Sequence, residues 1–350
     1  MKVLITGTAG FIGFHLARLL NEKGYHVWGM DNINEYYDIN LKYSRLEETG
    51  ISRKMIGNGN EVTSQKYPHY HFIKLDLTDQ ANLLNLFKTK AFDCVIHLAA
   101  QAGVRYSLNH PHTYISSNIE GFMNIIDACR HFPVRHLIFA SSSSVYGMNE
   151  KMPFSVKHNV DHPVSLYGAS KKANELMAHS YSHLFRIPCT GLRFFTVYGP
   201  WGRPDMALFI FTKSILAGEP INVFNHGNME RDFTYIDDIV EGISRMIDSP
   251  PKGFPGWDGK HPDPSASRAP YRIYNIGNNK PVNLMDFIKA IEETLGLTAK
   301  MRFESIQPGD VVRTWADTEN LFSEFNFRPS TPVKEGVKRF ISWYRSYYKV

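Results

Sequence analysis

The chain has 350 residues, with 39 basic and 34 acidic side chains and a formal net charge of +5, which only weakly favours small anionic substrates. A hydrophobic share of 43% and this length predict a large packed domain with a smaller satellite domain. No apolar run reaches the roughly 18 residues of a membrane span, no signal-peptide pattern follows Met1, and no basic stripe with interleaved aromatics indicates nucleic-acid binding, so we expect a soluble cytoplasmic protein.

Short β-branched runs alternate with helical patterns in the first half of the chain. Strands are predicted at residues 2–6, 25–31, 71–76, 94–99 and 137–141, with a first helix at 14–23. Such alternation predicts an α/β fold built on a doubly wound parallel sheet. Within the long connection between 31 and 71 we expect a helical piece near 39–49 and a mobile surface loop within 55–67.

The pattern loosens after about residue 191. Residues 250–270 are rich in Pro, Gly, Asp and Ser, which predicts a long loop, whereas 271–277 has the pattern of a buried strand and 331–348 that of an amphipathic helix. We therefore expect a Rossmann-like, NAD-binding domain over 1–192, with returns at about 233–249 and 271–283. A smaller α/β substrate domain, mainly in 193–350, is interleaved with it.

A glycine-rich loop follows the first strand. Gly7, Gly10 and Gly13 lie between KVLIT and a helix, where glycines permit a tight turn and close approach of backbone amides to a pyrophosphate. Asp31 ends the second strand, where its carboxylate can bind the adenosine ribose hydroxyls and repel the extra phosphate of NADP, so NAD is favoured. Asp31 could alternatively start an ordinary turn, and Asp76 either binds the adenine amino group or caps the helix before Gln80.

Tyr167 and Lys171 are one helical turn apart and follow a serine run at 141–144. Because residues four apart share a helix face, the Lys171 ammonium can lower the pKa of the Tyr167 phenol from about 10 and make it a base. A hydroxyl from the serine run can bond the same substrate oxygen. Together with the glycine loop this arrangement indicates hydride chemistry, although the Tyr-x-x-x-Lys pattern alone would describe an ordinary solvated helix face.

Several longer motifs resemble one family. The glycine spacing, HLAAQAGVR (97–105), Asn118, SSSSVYG (141–147) and YGASK (167–171) resemble the extended short-chain dehydrogenase/reductases. Three further segments, 31–42, 193–207 and 231–240, are similar to UDP-glucuronate 4-epimerases, and the resemblance covers essentially the whole chain. It implies an NAD-dependent isomerase that interconverts UDP-glucuronate and UDP-galacturonate for polysaccharide biosynthesis. It also implies a homodimer formed through helices around 114–130 and 164–185.

The resemblance implies roles for individual residues. Ser142, Tyr167 and Lys171 take the catalytic positions. The cofactor positions are Gly7, Gly10, Phe11, Ile12, Gly13, Asp31, Asn32, Asp76, Leu77, Ala99, Ala100, Gln101, Asn118, Tyr167 and Lys171. The substrate positions are Ser142, Ser143, Ser144, Tyr167, Thr196, Arg203, Arg231 and Arg313. Arg231 matches the position that binds the UDP diphosphate. The family usually has a second arginine where this chain has Gln307, and Arg313 is the residue that could replace it.

Two departures separate this chain from other members of the group. Ser144 stands where the decarboxylases usually have glutamate, and Thr196 where UDP-galactose 4-epimerases usually have asparagine. We expect Ser143, Ser144, Thr196 and Arg203 to hold the carboxylate of the sugar. This matters because a 4-keto uronate is a β-keto acid that readily loses carbon dioxide unless its carboxylate is fixed in a polar niche.

Other interpretations stay open at this point. Ser143 and Ser144 could instead bond local backbone, Arg203 could be a surface residue, and Asn118 could bond the active-site helix or only pack against it. A UDP-glucuronate decarboxylase, a neutral UDP-hexose 4-epimerase and a non-catalytic NAD sensor share the scaffold. Finally, the three cysteines have neither metal-ligand nor redox spacing, which predicts buried thiols and no metal site: Cys94, Cys129 and Cys189.

Overall fold

The computed structural model describes residues 1–350. The strands are β1 (Lys2–Thr6), β2 (His26–Asp31), β3 (Glu61–Thr63), β4 (Tyr70–Lys74), β5 (Cys94–His97), β6 (His136–Ser142), β7 (Cys189–Phe194), β8 (Thr196–Tyr198), β9 (Ile221–Phe224), β10 (Glu230–Tyr235), β11 (Tyr271–Ile276), β12 (Pro281–Asn283) and β13 (Met301–Glu304). The helices are α1 (Phe11–Glu22), α2 (Ile39–Glu48), α3 (Gln80–Lys90), α4 (Tyr106–Asn109), α5 (Pro111–Tyr114), α6 (Gly121–His131), α7 (Leu166–Phe185), α8 (Ala207–Leu216), α9 (Ile236–Met246), α10 (Leu284–Leu295), α11 (Glu319–Phe325) and α12 (Val333–Tyr348).

An eight-stranded sheet forms the centre of the molecule. Its order is β11-β7-β6-β5-β1-β2-β4-β3, and every neighbouring pair is parallel except β3 with β4. The predicted doubly wound parallel sheet is therefore confirmed. The strand order reverses at β1, and in such sheets a ligand crevice opens at the carboxyl ends of the strands beside that reversal.

Both faces of this sheet are buried. Val3 and Ile5 of β1 belong to one hydrophobic cluster of 50 buried residues, whereas Leu4 belongs to a second cluster of 26. Since successive strand residues point to opposite faces, the two clusters fill the two sides of the sheet. This double burial explains why the strands read as continuous apolar runs and not as polar–apolar alternation.

The edge strand β3 corrects one prediction. A mobile surface loop was expected within 55–67 and no strand was predicted there, but Glu61–Thr63 pair antiparallel with β4 and bury Val62 between two exposed neighbours. A strand of three residues is too short to show a periodicity in sequence, and its pairing depends on a partner that lies further along the chain.

The second set of elements lies beyond β7. A three-stranded sheet of order β12-β10-β8 and a parallel pair β13-β9 pack with α8, α10 and α12. The chain crosses back to the first set twice, because α9 packs against α1 and β11 pairs with β7. We retain a division near residue 192 as a proposal for the two interleaved domains.

The C-terminal helix α12 packs its aromatic side chains against the loop after β8. Trp201 of that loop lies 5.2 Å from Trp343 and 5.1 Å from Tyr347, measured between ring centroids. The cysteines Cys94, Cys129 and Cys189 are buried thiols, as predicted. No helix combines the length and the apolar character needed to span a bilayer.

Candidate active site

One cavity of about 920 Å³ lies at the carboxyl ends of the central strands. Gly7 after β1, Asp31 at the end of β2, Ala99 after β5 and Ser142 at the end of β6 form one wall. The facing wall comes from the second set of elements, and its polar members include Thr196, Arg203, Arg231 and Asp310. The cavity thus spans the predicted cofactor and substrate positions.

The glycine loop leaves no room for side chains. Gly7 has a φ of +81°, and a Cβ added there would lie 2.9 Å from the backbone nitrogen of Ala99. A Cβ on Gly13 would lie 2.1 Å from the Gly7 carbonyl oxygen. The glycines therefore let backbone approach the cavity closely at the start of α1, where N–H groups and the helix dipole favour a phosphate group.

Asp31 lies at the edge of this loop. Its carboxylate accepts hydrogen bonds from Ala9 N at 3.1 Å and Ile33 N at 2.8 Å, and it still lines the cavity. Asp76 also lines the cavity and accepts from the Asn32 side chain at 2.7 Å. The alternative role of Asp76 as a helix cap is wrong, because Asp79 caps α3. A glycine cradle closed by a carboxylate fits a dinucleotide.

Of the proposed cofactor positions, Asn118 is the one that does not reach the cavity. It lies in a π-helical segment, Ile115–Glu120, and is 1% exposed. Its side chain accepts from Gln101 N at 2.8 Å and donates to Gln101 O and to the Ser170 hydroxyl, each at 3.0 Å. The structure therefore makes Asn118 a brace that joins the Gln101 loop to α7 through a side chain, and not a direct cofactor ligand or a partner of the α7 backbone.

The three proposed catalytic residues lie together in the cavity wall. Ser165 caps α7 by accepting from Gly168 N at 3.1 Å, which orients the first turn and places Tyr167 and Lys171 toward the cavity. A Cβ on Gly168 would lie 2.6 Å from the Ser144 carbonyl oxygen, so only glycine lets α7 approach the serine run this closely. The result is that Ser142 and Tyr167 face the same space.

Burial shifts the pKa values of both Tyr167 and Lys171. Burial raises the pKa of Tyr167, while a hydrogen bond with Ser142 and the charge of Arg203 act in the opposite direction. Burial also lowers the pKa of Lys171 to about 8, and its ammonium donates to the Ala140 carbonyl at 2.9 Å. Burial thus favours the neutral phenol, whereas positive charge in the cavity would favour the phenolate that accepts a proton.

Lys171→Met should stabilise the protein when no cofactor is bound, because it removes a buried cation that no carboxylate accompanies. The expected gain in unfolding free energy is about 1 to 3 kcal/mol below pH 8. The folded-state pKa of about 8 lies below the usual 10.5, so the wild type itself gains stability as pH rises from 8 to 10.5. The advantage of the variant should therefore shrink over that window.

Chemical denaturation at pH 7 and pH 10 measures this difference. Lys338→Met, which changes an exposed lysine on α12, is the matched control and should stay within about 0.5 kcal/mol of the wild type. A Lys171→Met protein less stable than the wild type at pH 7 would contradict the account of an unpaired buried charge.

On the substrate side, Ser143, Ser144 and Thr196 line the cavity. The Ser144 hydroxyl accepts from the Ser142 hydroxyl at 3.2 Å, and neither Ser143 nor Ser144 bonds local backbone through its side chain. The structure therefore does not support the alternative in which these two serines only bond local backbone. Their hydroxyls are free to bond a ligand.

Arg203 is not an ordinary surface arginine. Its guanidinium binds Asp205 through two hydrogen bonds, Nε to Oδ1 at 2.9 Å and Nη2 to Oδ2 at 2.5 Å. Although burial disfavours its charge, the Asp205 carboxylate holds the pKa of Arg203 above its usual value. Tyr36 donates to the same carboxylate at 3.0 Å. Asp205 and Tyr36 were not among the predicted site residues, although both lie within the segments that carried the family resemblance.

The two predicted diphosphate-binding arginines differ in position. Arg231 lines the cavity and donates to the Val312 carbonyl at 3.0 Å. Arg313 does not line it; its guanidinium pairs with Glu230 at 2.5 Å outside the cavity, so the prediction for Arg313 is not supported. Arg105 takes a place beside Arg231 instead and pairs with Asp310 at 2.7 Å. Arg105 is the last residue of the HLAAQAGVR motif, which was noted in the sequence for its family resemblance.

Known proteins match the whole chain. Protein CapI of Staphylococcus aureus is 54% identical over 349 residues, covering 100% of both chains. A probable UDP-glucuronate 4-epimerase of Rhizobium meliloti (strain 1021) is 43% identical over 350 residues, covering 100% of this chain and 98% of the relative. The crystal structure of UDP-glucuronic acid 4-epimerase from Bacillus cereus in complex with UDP-glucuronic acid and NAD superposes with a TM-score of 0.85 at 30% identity, covering 99% of this chain and 100% of that one.

A family model described as the NAD dependent epimerase/dehydratase family matches residues 3–277. That range includes the glycine loop, the serine run, Tyr167, Lys171 and Arg203. The resemblance to extended short-chain dehydrogenase/reductases and the expectation of NAD as cofactor are thereby confirmed, and the chain belongs to the NAD dependent epimerase/dehydratase family.

Proposed function

We propose that the protein interconverts UDP-glucuronate and UDP-galacturonate at carbon 4 of the hexuronate. One observation carries the proposal: Arg203 lines the same cavity as Ser142 and Tyr167. A sugar whose 4-hydroxyl meets Tyr167 therefore places its neighbouring substituent near a guanidinium. In a hexuronate that substituent is a carboxylate, the group that arginine binds best.

NAD bound along the glycine loop would accept the hydride from carbon 4, return it to the opposite face, and bring a positive charge into the cavity. Tyr167 takes the proton of the 4-hydroxyl during oxidation and gives it back during reduction. Ser142 bonds the same oxygen and keeps it within reach of the phenol. The Lys171 ammonium, fixed to Ala140, adds a second positive charge on the α7 side of the site.

The remaining polar side chains protect the intermediate. Ser143, Ser144, Thr196 and Arg203 offer hydrogen bonds that fix the carboxylate, and a fixed, solvated carboxylate resists loss of carbon dioxide from the β-keto acid. Nη1 of Arg203 is not used by Asp205 and is available to the sugar. Arg231 and Arg105 lie at the other end of the cavity, where they suit the diphosphate of the nucleotide.

Incubation with UDP-glucuronate deuterated at carbon 4 tests the proposal. We expect UDP-galacturonate that retains the deuterium at carbon 4, and a catalytic amount of NAD should suffice because the same hydride leaves and returns. Proton NMR identifies the epimer and mass spectrometry follows the label. Recovery of unchanged substrate, or of a UDP-pentose lighter by carbon dioxide, would contradict the proposed reaction.

A neutral UDP-hexose 4-epimerase is the second candidate, and a specific observation favours it. Asp205 already neutralises Arg203, so the pair as a whole carries no net charge for a carboxylate. A competition between UDP-glucuronate and UDP-glucose in one reaction distinguishes the two candidates, since the hexuronate should be consumed faster if Nη1 of Arg203 binds its carboxylate.

A homodimer and a cytoplasmic location belong to the same proposal. Leu176 and Leu184 on α7 are 58% and 66% exposed, and Phe185 at its end is also exposed. Exposed apolar side chains along one helix suit a self-contact. Light scattering of the purified protein measures its mass in solution, and a monomer at micromolar concentration would contradict this part of the proposal.

A further inference from the structure

Arg45 on α2 is a charged residue that lies behind the cavity wall. Its side chain is 0% exposed and forms no ion pair, which is costly for a guanidinium unless other groups satisfy its donors. All of its hydrogen bonds go to neutral oxygens. Nη1 donates to Ala9 O at 2.9 Å and to the Tyr37 hydroxyl at 2.7 Å; Nε and Nη2 donate to Trp201 O at 3.2 and 2.7 Å.

The backbone acceptors belong to the two loops that define the site. Ala9 lies within the glycine loop, and Trp201 stands two residues before Arg203. A weaker contact, 3.4 Å from Nη2 to Gly202 O, reaches the residue next to Arg203. One guanidinium therefore spans the distance between the cofactor loop and the loop that carries the proposed carboxylate anchor.

The loop after β8 needs such support. Trp201 has a φ of +62°, a left-handed conformation that is costly for a bulky residue and persists only where the surroundings impose it. His15 of α1 adds a second contact, with Nε2 2.9 Å from Pro200 O. Burial lowers the pKa of His15 to about 3, so this imidazole is neutral and Nε2 carries the proton that it donates.

We propose that Arg45 is a positioning residue that sets the place of Arg203 relative to the bound cofactor. This inference rests on the proposed function, because it assigns to Arg45 the alignment of a hexuronate carboxylate during the 4-keto stage. Without Arg45, the Trp201 loop keeps only the His15 contact to α1, and Arg203 can drift from the carboxylate. When the carboxylate is held less firmly, the bond between carbons 5 and 6 breaks more easily. Carbon dioxide then leaves, the electron pair passes to the enolate of the 4-ketone, carbon 5 takes a proton, and return of the hydride yields a UDP-pentose.

Two substitutions test the idea in the full-length protein. Arg45→Met should raise the ratio of UDP-pentose to UDP-galacturonate roughly tenfold and lower kcat more than it raises KM, because the misalignment acts on the intermediate. Arg45→Lys keeps a charge and fewer donors, so it should restore part of the wild-type product ratio. Leu83→Ala, which empties buried space in the other hydrophobic cluster, should lower stability without changing the ratio.

Hydrogen exchange supplies a readout that does not depend on turnover. In the wild type, addition of NAD should slow exchange in the peptide that contains residues 199–203, because Arg45 couples that loop to the glycine loop. In Arg45→Lys the slowing should be weaker, and in Arg45→Met it should disappear. If Arg45→Met does not fold, the lysine variant alone decides by its exchange and product ratio.

The two proposals can fail separately. A wild type that never forms UDP-galacturonate refutes the proposed function, while the exchange measurement still decides whether Arg45 couples the two loops. A wild type that epimerises, combined with Arg45 variants that keep both its product ratio and its NAD-dependent protection, overturns the role of Arg45 and leaves the function intact.

Discussion

Tyr167→Phe should lower kcat for epimerisation by about 10³-fold, because it removes the hydroxyl that exchanges a proton with the sugar while leaving the ring in place. Binding of UDP-glucuronate should change little, since Arg203, Arg231 and the serines remain. Initial rates followed by NMR and the dissociation constant measured by calorimetry separate the two effects.

Tyr181→Phe is the matched control for this substitution. Tyr181 lies on the same helix, is half-buried and does not line the cavity, so the same loss of one oxygen should leave kcat within about twofold of the wild type. Near-normal activity of Tyr167→Phe would eliminate the phenol as the proton carrier and reopen the interpretation of the protein as an NAD-binding module without turnover.

Arg203→Met should reduce kcat/KM for UDP-glucuronate by about 10²-fold or more, because the carboxylate loses a charged partner in a half-buried site. The effect on UDP-glucose should be much smaller, so the preference between the two substrates falls. The fraction of UDP-pentose among the products should also rise, since the β-keto acid is held less firmly. Competition assays with both nucleotide sugars measure all three quantities.

Part of the loss in Arg203→Met could come from Asp205, whose carboxylate is left in the cavity without its partner. The double variant Arg203→Met with Asp205→Asn removes this repulsion. Its activity should recover only partly, because the favourable contact stays absent. Arg328→Met, which alters an exposed arginine far from the cavity lining, serves as the control for loss of one positive charge. An unchanged substrate preference in Arg203→Met would refute the carboxylate niche.

The sequence revealed those site residues whose relative positions follow from spacing within one segment. Tyr167 and Lys171 are four apart on one helix, and the glycines form one continuous loop, so their geometry follows from spacing alone. Arg105 and Asp205 lie inside motifs that were noticed for their resemblance, yet nothing in those motifs says which charged residue turns toward the cavity. Arg313 was predicted to replace a missing arginine, but in the fold it pairs with Glu230 and does not line the cavity.

Prediction of the fold was limited in a similar way, because some elements depend on pairing with distant segments. The alternation of apolar runs predicted the parallel sheet, because a strand buried on both faces is recognisable from its own residues. The edge strand β3 was missed because its hydrogen bonds come from β4, and the assignment of a strand this short depends on that partner. The sequence predicted that residues 233–249 return to the first domain, but only the fold shows that α9 packs against α1.

The amino-acid sequence by itself determined the class of fold, the dinucleotide loop and the Tyr167–Lys171 turn, because each follows from patterns local in the chain. Only the tertiary structure decided that burial raises the pKa of Tyr167 and that Arg203, paired with Asp205, lines the same cavity. It also decided that Arg45 joins the glycine loop to the Arg203 loop. The physical reason is that desolvation and charge–charge interaction depend on distances between groups far apart in the chain, which the folded packing alone establishes.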